Sequence, residues 1–145
     1  MQHFVYPASL TPEEHEGGFV VTFPDLPEAI TQGDDTIDAL RQGTDCLEEA
    51  IAGRIRRHDS IPVPSPLGQS FYAIPLSAQM AAKAALYLAL CQAGITQVEL
   101  ASRLHCDEKE VRRLLDPRHA SKLSRLESAL AALGQQLVVG MQATG

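Results

Sequence analysis

The chain has 145 residues, 45% of them apolar and 21% charged, with a formal net charge of −6; this is ordinary globular composition, enough for one average domain or two small ones. No apolar run approaches the roughly 18 residues that cross a bilayer, and no basic-then-apolar leader precedes Pro7, which predicts a soluble, cytoplasmic protein without a membrane partner. Cys46, Cys91 and Cys106 are odd in number and widely spaced, which argues against a disulfide framework or a zinc site and leaves ordinary thiols, expected to be mostly buried.

His3–Leu10 reads as a first strand with Phe4 and Tyr6 on one face, and Phe19–Phe23, dense in β-formers, as a second. The polar stretch between them ends in Gly17-Gly18, which suits a hairpin connection with positive φ. Pro24 and Pro27 are expected to break the ladder, leaving Ala29–Gln32 as a short third strand. Asp34 or Asp35 can cap the helix that follows, and Asp38 adds negative charge to its first turn. That helix is expected over Thr36–His58. Ile37, Leu40, Leu47, Ile51 and Ile55 recur there at helical spacing, and Arg54, Arg56 and Arg57 sit at the C-terminal end. Ser60–Pro66, with Pro62 and Pro64 inside it, reads as extended polyproline-like chain, and Phe71–Ile74 as a fourth strand. Residues 1–76 are thus expected to form a β-β-β-α-β domain, a sheet with one helix over one face.

Residues 77–145 read as an all-α domain with a short C-terminal strand, so the fold class is α+β. Ser77 is the expected N-cap of an Ala-rich helix, Ala78–Ala93, which Gly94 ends. In Gly94–Leu115, Thr96 can cap a second helix, with Glu99 completing a capping box. Val98, Leu100, Ala101 and Leu104 supply its apolar positions, and Ala101 is small enough for a close helix crossing. The chain then turns over His105-Cys106-Asp107. Asp107 can cap the next helix, Glu110 sits three residues on, and Val111, Leu114 and Leu115 form its buried side. Two short capped helices joined by three residues are the helix-turn-helix design, whose second helix enters the major groove.

On that second helix Glu108, Lys109, Arg112 and Arg113 lie near its N-terminal end or on its exposed face. Arg and Lys can bond guanine O6 and N7, and Glu can accept from cytosine N4. Gln97, opening the preceding helix, can reach a phosphate, and Arg118 and Lys122 in the loop Asp116–Lys122 are placed for the DNA backbone. Leu123, Leu126, Leu130 and Leu133 make a closing helix. Gln135–Met141 is β-prone with no local strand to pair with, and its Leu137–Met141 part is expected to pair across a two-fold axis.

The net charge hides an asymmetry. Residues 1–66 hold twelve Asp/Glu against four Lys/Arg, whereas residues 77–145 hold six against eight. Within Arg103–Arg125 seven basic side chains face four acidic ones. An acidic half disfavours a polyanion and a locally basic half favours one, so the halves are expected to have different partners. For the second half the expected partner is operator DNA. A homodimer, or a dimer of dimers, would set two reading helices about 34 Å apart on a palindrome.

The segment Ile95–Leu133 resembles the Xre/Cro-type repressor domain at Thr96-Gln97 and Leu100-Ala101, and departs from it at His105, where that family usually has Gly. A non-Gly residue there must accept a left-handed conformation, which His tolerates. The first half resembles the HicB-type antitoxin domain, through Gly18-Phe-Val-Val-Thr-Phe-Pro-Asp-Leu-Pro27, Thr31-Gln-Gly-Asp34, the helix beginning near Thr36, and Ile61-Pro-Val-Pro-Ser65. Glu28 stands where that family generally has Gly. The resemblance implies a partly degraded RNase-H-like sheet that binds and neutralises a small basic mRNA-cleaving toxin of the HicA kind. It also implies that the attached DNA-binding module represses the operon of the pair, and it points to the sheet face and the Ile61–Ile74 region for the toxin.

Asp25, Asp34, Asp35 and Asp38 would be the carboxylates of an RNase-H-like metal site, which needs them to converge on one ion. Asp34 and Asp35 are adjacent and diverge in any extended segment, and Asp25 lies in a turn between two prolines, so no catalytic residue, metal or cofactor is expected. His105-Cys106-Asp107 are consecutive, and consecutive residues rarely converge on a metal. His3, His15, His58 and His119 are expected on the surface or in turns. Two other readings of the whole chain stand beside the antitoxin. One is a stand-alone transcriptional regulator whose first domain oligomerises or senses another ligand; the other is an interaction scaffold that binds no DNA.

Overall fold

Strands form where the β-formers cluster. In the computed structural model, which describes residues 1–143, β1 spans Val5–Pro12, β2 Phe19–Phe23, β3 Leu26–Gly33 and β4 Tyr72–Pro75. They lie in the order β3-β2-β1-β4 with every neighbouring pair antiparallel. The β1–β2 hairpin passes through Gly17 and Gly18 at φ +79° and +77°, the left-handed region that only glycine enters without cost.

The third strand is longer than the prolines suggest. Pro24 and Asp25 form the turn, since Phe23 faces Leu26, while Thr22 faces Ile30; the slip leaves Pro27, Glu28 and Ala29 bulged, without a ladder partner. Pro27 is tolerated because β3 is an edge strand and the bulge asks no N–H of it.

Helix α1 runs Thr36–Arg56. Of the two candidate caps Asp35 serves: its Oδ1 accepts the Asp38 N–H at 2.8 Å, and Asp38 Oδ2 accepts the Asp34 N–H at 2.9 Å. This is reciprocal capping. Its buried stripe is Ala39, Gly43, Leu47, Ile51 and Ile55, a strict i+4 row laid against all four strands. Ile37 lies off that row and is 73% exposed, contrary to its expected core role. Leu47 and Ile51 are fully buried, each stabilising by about 1.5–3 kcal/mol. At the β3–α1 junction Gly33 is buried so closely against α1 that a Cβ there would sit 2.4 Å from the backbone of Ala39.

The chain divides into two compact units, Met1–Ala81 and the residues from Ala82 onward. Helix α2, Ala78–Ala93, runs across that division, its first turn capped by Ser77 Oγ, which accepts the Met80 N–H at 3.3 Å. The second unit continues with α3 Gln97–Leu104, α4 Glu108–Leu115 and α5 Leu123–Ala132. Leu86, Leu100, Val111, Leu126 and Ala129 are fully buried in it. Val98, expected inside, is 60% exposed; the buried positions of α3 are Leu100 and Ala101.

Two further expectations are corrected. The C-terminal strand does not form: residues 135–143 carry no regular structure, since a strand needs a ladder and their unit contains none. The last two residues of that tail, Thr144 and Gly145, lie outside the described residues. The thiols are not buried either; Cys46 and Cys106 are half-buried and Cys91 is exposed at the end of α2. Among the described residues no single helix is long and apolar enough to cross a membrane.

Candidate nucleic-acid interface

The pair α3–α4 is built by local chemistry at each end. Thr96 Oγ1 accepts the Glu99 N–H at 3.1 Å and Asp107 Oδ1 accepts the Glu110 N–H at 2.9 Å. Both caps therefore form as the sequence predicts. Between them His105 adopts φ +54°, ψ +42°. Its N–H bonds the Ser102 carbonyl at 3.2 Å, and the Cys106 N–H bonds the Ala101 carbonyl at 3.0 Å. That is a Schellman ending, usually made by Gly; here His accepts the left-handed conformation. Ala101 is 4% exposed and α3 packs on α4.

The residues that the sequence singles out for DNA lie on α3, on α4 and in the loop after it. Gln97 is the half-buried first residue of α3. Glu108, Lys109, Arg112 and Arg113 are exposed on α4, whose buried positions are Val111, Leu114 and Leu115. Arg118 and Lys122 are exposed in the following loop, with Lys122 at the N-terminus of α5, where no side chain caps the helix. Two other cations are neutralised. Arg103 Nε lies 3.3 Å from Glu99 Oε1, and Arg125 Nε donates to Glu110 Oε1 at 2.8 Å. No such carboxylate partner is seen for Lys109, Arg112, Arg113, Arg118 or Lys122 among the described residues. Glu99 and Glu110 stand at capping-box positions in the sequence, whereas in the fold their carboxylates serve these ion pairs.

Lys83 is a residue that the sequence reading misses. It is fully buried on α2, and its Nζ donates to the Arg113 carbonyl at 3.0 Å, the Leu114 carbonyl at 2.8 Å and Ser121 Oγ at 2.8 Å. Three N–H donors meet three acceptors. Burial pushes its pKa down to about 8, partly opposed by Asp116. A signal for it exists: Lys83 is the lone charge in Ala78–Ala93, and an apolar-all-round helix is a buried one, which forces its single lysine inside.

In the first unit the extended segment is pinned to the sheet domain at three points. Arg54 Nη1 donates to the Ser60 carbonyl at 3.0 Å, Tyr6 Oη to the Pro62 carbonyl at 2.7 Å, and the Ser65 N–H to Asp25 Oδ2 at 2.9 Å. Ser65 Oγ also donates to Asp25 Oδ1. Arg54 further holds Glu28 with two bonds, Nε to Oε2 at 2.6 Å and Nη2 to Oε1 at 2.9 Å. The Arg54 hydrogen bonds pull the Glu28 pKa down to about 2. Asp25 is thus occupied by Ser65, and Asp35 and Asp38 by helix capping. No group of three or more His, Cys, Asp or Glu among the described residues is arranged to hold a metal. The segment leaves Val63 and Leu67 exposed, and β3 leaves Ile30 61% exposed. His3, His15, His58 and His119 are all exposed.

Comparison with known proteins bears on both units. The family model described as "HicB_like antitoxin of bacterial toxin-antitoxin system" matches residues 5–85. A protein of Photorhabdus laumondii named Antitoxin HicB 1 is 39% identical over 137 residues, covering 94% of this chain and 86% of its own length. Antitoxin HicB of Escherichia coli K12 is 38% identical over 136 residues, 94% of this chain and 98% of that protein. Antitoxin HicB of Pseudomonas fluorescens is 31% identical, with 93% of each chain covered. The similarity therefore extends through the helical half as well as the sheet.

Proposed function

Since the chain belongs to the HicB-like antitoxin family, we propose that it neutralises a small basic ribonuclease toxin of the HicA kind and represses its own operon by binding DNA, with no catalysis of its own. Residues 1–76 would take the toxin and residues 77–145 the operator. The observation that carries the DNA half is the row of exposed Lys109, Arg112 and Arg113 on a helix whose start is fixed by Asp107 and whose preceding turn is a Schellman ending. A helix held that firmly can present cations to base edges, with Glu108 beside them as an acceptor for cytosine. Arg118, Lys122 and the α3 N-terminus at Gln97 would bind phosphates. For the toxin, the acidity of residues 1–66 suits a basic partner. The pinned Ile61–Ile74 region and the open sheet face offer exposed Val63, Leu67 and Ile30.

Operator binding would use a homodimer or a dimer of dimers on a palindrome. The exposed Val138, Val139 and Met141 of the tail support pairing across the two-fold, and deletion of residues 135–145 should give a monomer. An unchanged sedimentation coefficient would remove the tail from the account.

Two experiments test the whole. Arg112→Ala or Arg113→Ala should cost about 1–3 kcal/mol of operator binding and relax sequence preference. Lys122→Ala should weaken binding to all sequences and flatten the salt dependence. A triple variant that binds the upstream DNA normally sinks the repressor reading. Co-purification of the tagged chain with the product of the neighbouring gene tests the antitoxin half. A chain that binds DNA but never retains a small basic partner would be a stand-alone regulator, and one that shifts no promoter fragment would be a scaffold.

A further inference from the structure

We infer that Lys83 is a positioning residue for DNA binding: its buried ammonium staples the end of α4 to the far end of the Asp116–Lys122 loop, so that the cations of helix and loop meet one duplex in fixed register. This rests on the DNA-binding reading above and adds to it a residue that cannot itself touch DNA. The last carbonyls of an α-helix have no partner within the helix. In α4 the Asp116 N–H takes the Arg113 carbonyl at 3.2 Å, and Lys83 takes both Arg113 and Leu114. The same nitrogen reaches Ser121, whose hydroxyl also donates to the Arg113 carbonyl at 3.4 Å.

One atom therefore joins the last turn of the helix that carries Arg112 and Arg113 to the residue before Lys122. At its start the loop is held by local bonds, the Arg118 N–H to Asp116 Oδ1 at 3.0 Å and the His119 N–H to the Asp116 carbonyl at 3.1 Å. They shape its first turn without fixing where Ser121 and Lys122 lie. A positive charge is also favourable at a helix C-terminus. An apolar side chain of similar length would fill the same space at lower desolvation cost, but it would take from the Leu114 carbonyl its lysine donor and from the loop its tie to α2.

The test uses the full chain, a duplex carrying the sequence upstream of the gene, and the variants Ser121→Ala and Lys83→Met. Affinity is measured against salt, the active fraction by stoichiometric titration, and loop order by amide exchange at residues 118–121. Ser121→Ala removes one arm of the staple and should bind roughly tenfold more weakly. Its salt slope should be shallower by up to about 0.9 for each phosphate the loop no longer neutralises, and exchange in the loop should be faster. Lys83→Met should show larger changes of the same kind. A lower active fraction with an unchanged slope would mean that Lys83 only supports the fold, and would overturn the proposal. Unchanged affinity and slope in both variants would overturn it too. If Lys83→Met does not fold, Ser121→Ala decides alone. If the unaltered chain binds no duplex, the DNA-binding reading itself falls; if it binds and Ser121→Ala behaves identically, only the positioning role is lost.

Discussion

The two units are held together by different balances of side-chain ties. The first is tied by side chains far apart in sequence: Glu28 to Arg54 across 26 positions, Asp25 to Ser65 across 40, and Tyr6 to Pro62 across 56. The second adds short ties three or four residues long at the ends and turns of its helices, at Thr96–Glu99, Asp107–Glu110 and Glu99–Arg103. Beside them stand long ties: Lys83 reaches 30 to 38 positions along the chain, Arg103 bonds the Ala132 carbonyl across 29, and Arg125 holds Glu110 across 15. The difference teaches where each unit is vulnerable. Non-local ties fail when a strand or bulge shifts; local ones fail one at a time.

The largest expected effect is in the first unit. Gly33→Ala places a methyl against the Ala39 backbone, which cannot rotate away, and should cost about 3 kcal/mol or more in chemical denaturation. A melting curve like that of the unaltered chain would show the β3–α1 junction to be looser than its geometry implies.

The pH dependence separates the units next. The folded-state pKa of Lys83 is about 8 against an ordinary 10.5. Between those values the unfolded chain binds the extra proton, so the stability of the second unit rises with pH across that window. Helical signal in urea titrations across that window should report it, and Lys83→Met should abolish it. Tyr6 runs the other way: burial raises its pKa, so the first unit loses stability as pH climbs past its ordinary value of 10.0. A second unit indifferent to alkali would place Lys83 in contact with water.

Smaller effects probe the local ties. His105→Gly relieves a left-handed residue at a cost of unfolded-chain entropy, and should stabilise by up to about 1 kcal/mol. A loss instead would assign His105 an interaction that outweighs its strain. The smallest effect is at Glu28. Its carboxylate, held by Arg54, contributes stability that is intact above the ordinary pKa of 4.5 and fades as pH falls toward 2. Being partly exposed, the pair is screened, and Glu28→Gln should cost under about 1 kcal/mol at neutral pH while reducing the acid sensitivity of the first unit.

What the sequence determined by itself was whatever three or four neighbouring residues decide. The Thr96 and Asp107 caps, the Gly17-Gly18 hairpin and β2 at Phe19–Phe23 follow from such local chemistry, whereas the left-handed His105 came from the family resemblance, and the choice of Asp35 over Asp34 as cap was the fold's. The exposed cations of α4 and the acidic cast of the first half were legible too, because periodicity and charge are properties of the chain. Tertiary structure alone decided the rest. Pro27 lies within a strand because β3 is at an edge and bulges; Ile37 and Val98 are outside because neighbouring positions take the core. The tail has no strand because no ladder is present in its unit to complete it. Glu28 holds Arg54, and Lys83 holds the end of α4, because folding brings together groups that no short window of sequence relates. The desolvation that makes such contacts matter exists only once the core has closed around them.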